Sequence, residues 1–422
     1  MHSLILWKTL KKKKPNLSNS QCGVVYPLFS SIKVLMYKIL TLNNISVAGL
    51  DHLPRDSYEV ASEVQHPDGV LLRSFKMHDM DLPDTVNAIG RAGAGVNNIP
   101  VDDYSKKGVA VFNAPGANAN AVKELVITGM LLACRNICQS WDFSKGLEGE
   151  DDVITKQVEA GKKNFVGFEL PGRTLGVVGL GAIGVKVANV AIALGMNVIG
   201  YDPTITVGRA WQLSSEIEQA NSIDELMSKV DFVTFHVPLT EETRHLVNPS
   251  RIRNMKDNAV ILNFARNGIV DDDAVCEALD DGKLYAYVCD FPSNLLKKHP
   301  RVITLPHLGA STKEAEENCA IMVAKQVKDY LENGNVKNSV NFPEVSLPRN
   351  SGRRITVVNE NIPNMVGQIS TDLANANLNI IDLMNKSRGD LAYTIIDVEN
   401  DVPDETVQAI KNIEGVLKVR VL

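Results

Sequence analysis

Three observations predict an α/β protein that ends in a small α+β unit. Short apolar strands alternate with helical segments from Met36 to about Ala114, and again beyond Asp202. Between these runs lies Thr174-Leu-Gly-Val-Val-Gly-Leu-Gly-Ala-Ile-Gly184, a strand entering a glycine-spaced turn and a helix. The last seventy or so residues read strand, helix, strand, strand, helix, strand, which is the order of a ferredoxin-like unit. The expected fold is two Rossmann- or flavodoxin-like parallel-sheet domains followed by a ferredoxin-like one.

In the glycine stretch each glycine has its own task. Gly179 permits the tight turn, Gly181 lets backbone approach a pyrophosphate, and Gly184 lets the helix sit close on its strand. Ala182 and Ile183 carry the free N–H groups of the helix start, which face phosphates. A second strand, Asn197 to Tyr201, ends in Asp202, at the distance such a fingerprint requires. The carboxylate there suits ribose hydroxyls and repels a 2′-phosphate, and Pro203 and Thr204 add no arginine. The reading is NAD rather than NADP.

In the first run the candidate strands are Tyr37–Leu42, Tyr58–Ala61, Gly69–Arg73, Ala88–Ala92 and Val109–Asn113. A long helix is expected over Asn118–Arg135, then a surface connection at Gly146–Asp152. After Asp202 come strands at Phe232–His236, Ala259–Asn263, Ala286–Asp290 and Val302–Leu305, then a helix over Lys313–Glu332. A polar stretch from Asn333 to about Gly352 reads as a linker. The closing strands are Arg354–Val358, Leu378–Met384, Leu391–Val398 and Leu417–Leu422.

Composition narrows the function classes. The net charge of -6 gives no reason to expect a nucleic-acid partner, and no apolar run is long enough to span a membrane. Six cysteines are scattered without a CxxC pair, as in reduced cytoplasmic proteins, and no metal site is expected. Residues 1–35 carry Lys8 and the run Lys11 to Lys14 but no acid, and they lack arginine. They read as a disordered extension rather than an organellar targeting segment, with folded sequence beginning at Met36.

Ligands of open α/β sheets bind at the C-terminal ends of the strands. His236, Asn263 to Arg266, Asp290 and His307 therefore become candidates by position alone. Hydride transfer from an alcohol also needs a base for the hydroxyl proton and a cation for a carboxylate. His307 titrates nearest neutral pH, and the guanidinium of Arg266 matches a carboxylate's geometry.

From about Met36 onward the chain resembles the D-isomer-specific 2-hydroxyacid dehydrogenases. The resemblance rests on Leu72-Arg-Ser74, Arg91-Ala-Gly-Ala-Gly-Val-Asn-Asn98, Asn113-Ala-Pro-Gly-Ala-Asn-Ala-Asn-Ala-Val-Lys-Glu124 and the glycine fingerprint. His236-Val-Pro-Leu-Thr240 and the segments around Arg266 and His307 complete it. Asn118 and the closing segment, which looks like an ACT regulatory domain, resemble the members that act on phosphoglycerate. The resemblance implies NAD-dependent oxidation of 3-phospho-D-glycerate to 3-phosphohydroxypyruvate, the entry to L-serine synthesis. It implies His307 as base and Arg266 as carboxylate holder, with Arg73, Ser74 and Asn118 lining the substrate site and Arg73 with nearby Lys76 serving the phosphate. It places His236, Val237, Pro238, Thr240, Thr243, Ala265 and Asp290 along the cofactor, Asp290 at the nicotinamide carboxamide.

The same resemblance divides the chain into a substrate domain (36–113 and 306–343), an NAD domain (114–305), a linker (344–353) and an ACT domain (354–422). It implies a homodimer or homotetramer, and an L-serine effector site at Asn359, Asn361 and Asn379, with Asn359 standing where relatives carry histidine. One departure touches catalysis. The family's glutamate partner of the histidine is missing, since no acid occurs between Asp290 and His307. Asn294, or less directly Ser293, holds its place, and an acid from elsewhere, such as Glu316, is the other source. Two further readings stand beside the phosphoglycerate one: turnover of another D-2-hydroxyacid, such as glycerate or lactate, and a non-catalytic NAD-sensing module.

Overall fold

The computed structural model describes residues 36–349 and 352–422, so the expectation for residues 1–35 lies outside the described residues. The first sheet is parallel, with strands β1 (Tyr37–Leu42), β2 (Tyr58–Ala61), β3 (Gly69–Leu72), β4 (Ala88–Arg91) and β5 (Ala110–Phe112) in the order β2-β1-β3-β4-β5. The second is also parallel: β6 (Thr174–Val178), β7 (Asn197–Tyr201), β8 (Glu218–Gln219), β9 (Phe232–Phe235), β10 (Ala259–Asn263), β11 (Leu284–Cys289) and β12 (Val302–Thr304). Its order is β12-β11-β10-β9-β6-β7-β8. β3, β9 and β10 are buried along their whole length, as strands covered on both faces must be.

The strand order of the second sheet reverses between β6 and β9. A crevice opens at such a reversal, and the glycine turn ends β6 there beside His236 at the end of β9. The helix Ala119–Cys134 lays Val122, Val126 and Met130 on this sheet, against Val177, Leu262 and Val288. The helix Lys313–Asn333 follows the second sheet in sequence yet packs on the first, with Val323 and Val327 against Ile39, Leu71 and Ala88.

Two helices, Ile137–Lys145 and Asp151–Gly161, occupy the stretch after the first long helix. The expected connection at Gly146–Asp152 is thus shorter. Asp151 and Asp152 already form a first turn, where acids complement the helix dipole.

The third sheet is antiparallel: β13 (Arg353–Glu360), β14 (Ile380–Arg388), β15 (Leu391–Val398) and β16 (Val416–Val421), ordered β14-β15-β13-β16. Helices Met365–Asn375 and Asp404–Lys411 cover one face, where Ile369, Leu373 and Ile410 meet Ile355, Val357 and Ile396. The other face joins the core of the first sheet, because Val358, Tyr393 and Ile395 cluster with Phe112, Val327 and Tyr330. The polar stretch preceding β13 takes part in this junction, with Phe342, Val345 and Leu347 buried.

One ion pair fixes the junction. Arg354 on β13 is 0% exposed and donates from Nε to Asp397 Oδ1 at 2.7 Å and from Nη2 to Oδ2 at 2.7 Å. Its remaining N–H groups reach the carbonyls of Asn333, Leu347 and Pro348, tying helix end, connection and sheet together. A buried pair contributes little net stability over an apolar replacement, but removing one partner strands a charge. Arg354→Met is expected to destabilise by about 3–5 kcal/mol, and Arg354→Met with Asp397→Leu to recover most of that. Urea-unfolding midpoints check it, and a double variant no better than the single one contradicts the argument.

Candidate active site

The turn after β6 has the geometry a dinucleotide needs. Gly179 takes φ +90, open to glycine and strained for other residues. A Cβ on Gly184 would collide with the carbonyl oxygen of Gly179, whereas one on Gly181 would meet nothing within 4 Å. That open space lies where a pyrophosphate would pass over the start of helix Gly184–Ala193. Asp202 follows β7 and accepts from the Leu180 amide at 2.8 Å with Oδ2 and from the Thr204 amide at 2.9 Å with Oδ1. The carboxylate is thereby held against the turn it must face.

Further along the strand ends, His236 donates or accepts at Thr234 Oγ1, 3.2 Å away, and its buried Nδ1 has no partner. Burial pushes the imidazole down to about 3, so it is neutral at physiological pH. Thr243 accepts from the Thr240 amide at 2.7 Å and donates to the Pro238 carbonyl at 2.6 Å, which closes the loop that begins at Val237. Ala265 is buried beside it in the turn after β10. Asp290, at the end of β11, is 1% exposed, and its Oδ1 is unpartnered. Burial raises its carboxyl, opposed by His307, by backbone hydrogen bonds and by Arg266. An unpartnered buried acceptor beside an open crevice suits an incoming amide donor, so these residues fit NAD.

One cavity of about 640 Å³ gathers the rest of the chemistry. Arg73, Arg91, Asn118, Arg266, His307 and Glu316 all line it. Arg73 leaves the end of β3, and Arg91 at the end of β4 donates from Nε to the Arg73 carbonyl at 3.1 Å. Arg266 is exposed, and its backbone is fixed by Asn263, whose Nδ2 donates to the Arg266 carbonyl at 3.0 Å. His307 has φ +45, a left-handed conformation uncommon outside glycine, with its amide held by the carbonyls of Asp290 and Leu305. Its ring stands edge-on to Phe291 at 5.2 Å and is exposed to the cavity.

The structure does not bring every candidate together. Ser74 and Lys76 are exposed and do not line this cavity. Asn294 is exposed, and no hydrogen bond joins it to His307 among the described residues; the Ser293 hydroxyl accepts from the Leu296 amide. Glu316 pairs with Arg73 at 2.7 Å. Arg91 stands in a motif of the family, but its place beside Arg73 comes only from the pairing of β3 with β4. In the third sheet Asn359 is buried, donating to the Glu360 carbonyl, while Asn361 and Asn379 are exposed. The register puts Asn361 at the Leu391 end of β15 and Asn379 at the Val398 end, about 25 Å apart.

Residues 127–309 match the family model described as "D-isomer specific 2-hydroxyacid dehydrogenase, NAD binding domain". A D-3-phosphoglycerate dehydrogenase of Haemophilus influenzae is 34% identical over 79% of this chain and 81% of its own length. The chain belongs to the D-isomer-specific 2-hydroxyacid dehydrogenase family. It is therefore an NAD-binding dehydrogenase by family. A Methanocaldococcus jannaschii D-3-phosphoglycerate dehydrogenase is 37% identical over 77% of this chain, which spans only 61% of that relative's length. Among solved structures, an NAD+-bound 3-phosphoglycerate dehydrogenase of Entamoeba histolytica is 26% identical and covers 72% of this chain with 99% of its own, at a TM-score of 0.55.

The glutamate missing from the loop after Asp290 makes a measurable point. Asn294→Glu would supply a carboxylate on the loop that follows Asp290, and a nearby carboxylate stabilises an imidazolium. The alkaline limb of the reduction rate profile is then expected to move up by about one pH unit or more. An unmoved limb removes Asn294 from the site.

Proposed function

We propose that this dehydrogenase oxidises 3-phospho-D-glycerate to 3-phosphohydroxypyruvate with NAD, the first step of L-serine synthesis. The observation that carries the reading is the convergence of Arg73, Arg91 and Arg266 with Asn118 and His307 on one cavity. A substrate with a carboxylate at one end and a phosphate at the other needs two cationic stations and a base between them. Arg266 holds the carboxylate and the C2 oxygen, in the two-pronged geometry guanidinium offers. Arg73 and Arg91 take the phosphate, Arg91 in the role first expected of Lys76. His307 receives the C2 hydroxyl proton at a ring nitrogen, and Asn118 completes the lining. The turn at Gly181, Asp202 and Asp290 would hold NAD, which would supply the acceptor for the C2 hydride. The names of the relatives support the substrate.

The unpaired state of Cys134, Cys138, Cys276, Cys289 and Cys319 supports a cytoplasmic location. No helix among the described residues is long and apolar enough to cross a membrane. We read the third sheet as an ACT regulatory domain in a homodimer or homotetramer. The 25 Å scale separating Asn361 from Asn379 supports this, since one small amino acid reaches both only across two copies.

The decisive assay follows NADH production from 3-phospho-D-glycerate, D-glycerate and D-lactate, with the keto product removed as it forms. Turnover is expected with phosphoglycerate first, and His307→Ala is expected to lower kcat by about 10²–10⁴-fold. Preference for glycerate or lactate shifts the substrate to another D-2-hydroxyacid, and no turnover leaves an NAD-sensing module. L-Serine at millimolar concentration is expected to inhibit, and Asn361→Ala to abolish that inhibition. A serine-insensitive wild type removes the regulatory reading and leaves the dehydrogenase.

A further inference from the structure

Three guanidinium groups and one carboxylate face the substrate cavity. The carboxylate is Glu316, whose Oε1 lies 2.7 Å from Arg73 Nη1, and the two side chains are 44% and 38% exposed. They come together only through folding, since Arg73 follows β3 and Glu316 lies in the first turn of helix Lys313–Asn333. An acid in a first turn has an ordinary explanation, the favourable interaction with the helix dipole. Glu314 already supplies that in the same turn. Glu316 instead reaches into the cavity and holds a cation that an anionic substrate requires.

We infer that Glu316 is an internal counter-anion, which occupies Arg73 until the substrate's phosphate displaces it and so sets how strongly the cavity prefers a phosphorylated substrate. The inference rests on the reading of Arg73 as a phosphate ligand. A phosphate entering the site has two obstacles to overcome: it must break the Arg73–Glu316 pair, and it then sits near a displaced carboxylate of like charge. An unphosphorylated hydroxyacid, held by Arg266 and His307, meets neither obstacle. Glu316 is therefore a specificity-determining residue, and it makes the empty cavity less attractive to free phosphate than three bare arginines would be.

The test compares wild type, Glu316→Gln and Glu316→Asp by calorimetric titration with inorganic phosphate, alongside KM for 3-phospho-D-glycerate and for D-glycerate. Glu316→Gln is expected to tighten phosphate binding and lower the phosphoglycerate KM by about three- to tenfold, the scale of a partly exposed pair plus a relieved repulsion. The D-glycerate KM is expected to stay within about twofold, because no phosphate is exchanged. Glu316→Asp keeps the charge with a shorter reach and falls between the two. A melting curve confirms that each variant is folded, as the exposed position leads one to expect. Unchanged or weaker phosphate binding in a folded Glu316→Gln overturns the inference, the latter by showing that Glu316 orients Arg73 for the ligand. If wild type turns over phosphoglycerate while Glu316→Gln changes nothing, this inference alone is lost. Phosphate binding to neither protein overturns this inference and the phosphate reading of the cavity together.

Discussion

The substrate cavity, the first sheet and the third sheet all depend on the helix Lys313–Asn333. Its 21 residues run about 31 Å, enough to cross a domain. Its first turn presents Glu316 to Arg73 at the cavity. Its middle closes the first sheet with Val323, Ala324 and Val327, so close that a Cβ on Gly90 would meet the Val327 side chain at 2.9 Å. Its end receives the third sheet: Arg420 donates to the carbonyls of Tyr330 and Leu331, and the Tyr393 hydroxyl to that of Gly334 at 2.7 Å. Carbonyls at a helix C-terminus lack partners within the helix; the Gly334 amide serves that of Tyr330, and Arg420 from the third sheet adds a donor there and supplies that of Leu331.

The parts of this arrangement that were legible in the sequence are those set by local periodicity and turn chemistry. The strands of both parallel sheets apart from the two-residue edge strand β8, the glycine turn and the order of the last unit depend on neighbours within a few residues. The cavity depends on pairs far apart in sequence. Arg91 opens a motif of the family and Glu316 is an acid near His307 in sequence, yet only the β3–β4 pairing and the return of the long helix bring them to Arg73. The docking of the third sheet did leave a signal. β13 is buried from Arg354 through Asn359 and β15 from Ala392 through Val398, on alternating faces alike. A sheet solvated on one face alternates apolar with polar, so the run Leu391-Ala-Tyr-Thr-Ile-Ile396 of β15, apolar on both faces, announces a second cover. The polar stretch before β13 is part of the same junction, since Phe342, Val345 and Leu347 within it are buried.

Charge balance distinguishes the two ends of the helix. At the junction Arg354 is neutralised by Asp397 and by three carbonyls, with no donor left over. Such a pair fixes geometry more than it adds stability, because desolvation consumes most of the attraction. At the cavity the arginines outnumber the acids, with Arg266 exposed and Arg73 more than a third so. Burial lowers the guanidinium of Arg91, with Arg73 and Arg266 adding like charge. A site that keeps uncompensated cations at this closeness is prepared for an anion, and the junction, fully compensated, is not.

These two ends also bear on how an effector proposed for the third sheet would reach the chemistry. A flexible tether would let an effector move the sheet without disturbing the cavity. The sheet is instead packed into the core of the first one and bonded to the last turn of the helix that carries Glu316. Packed cores change between discrete arrangements and do not deform gradually. A displacement of the third sheet therefore either breaks the Tyr393, Arg354 and Arg420 contacts or moves the helix as a rigid body. In the second case the first group to feel it is the Arg73–Glu316 pair, at the helix's other end. Binding at the sheet would then be read at the cavity as a change in how readily phosphate displaces Glu316, that is, in KM more than in kcat.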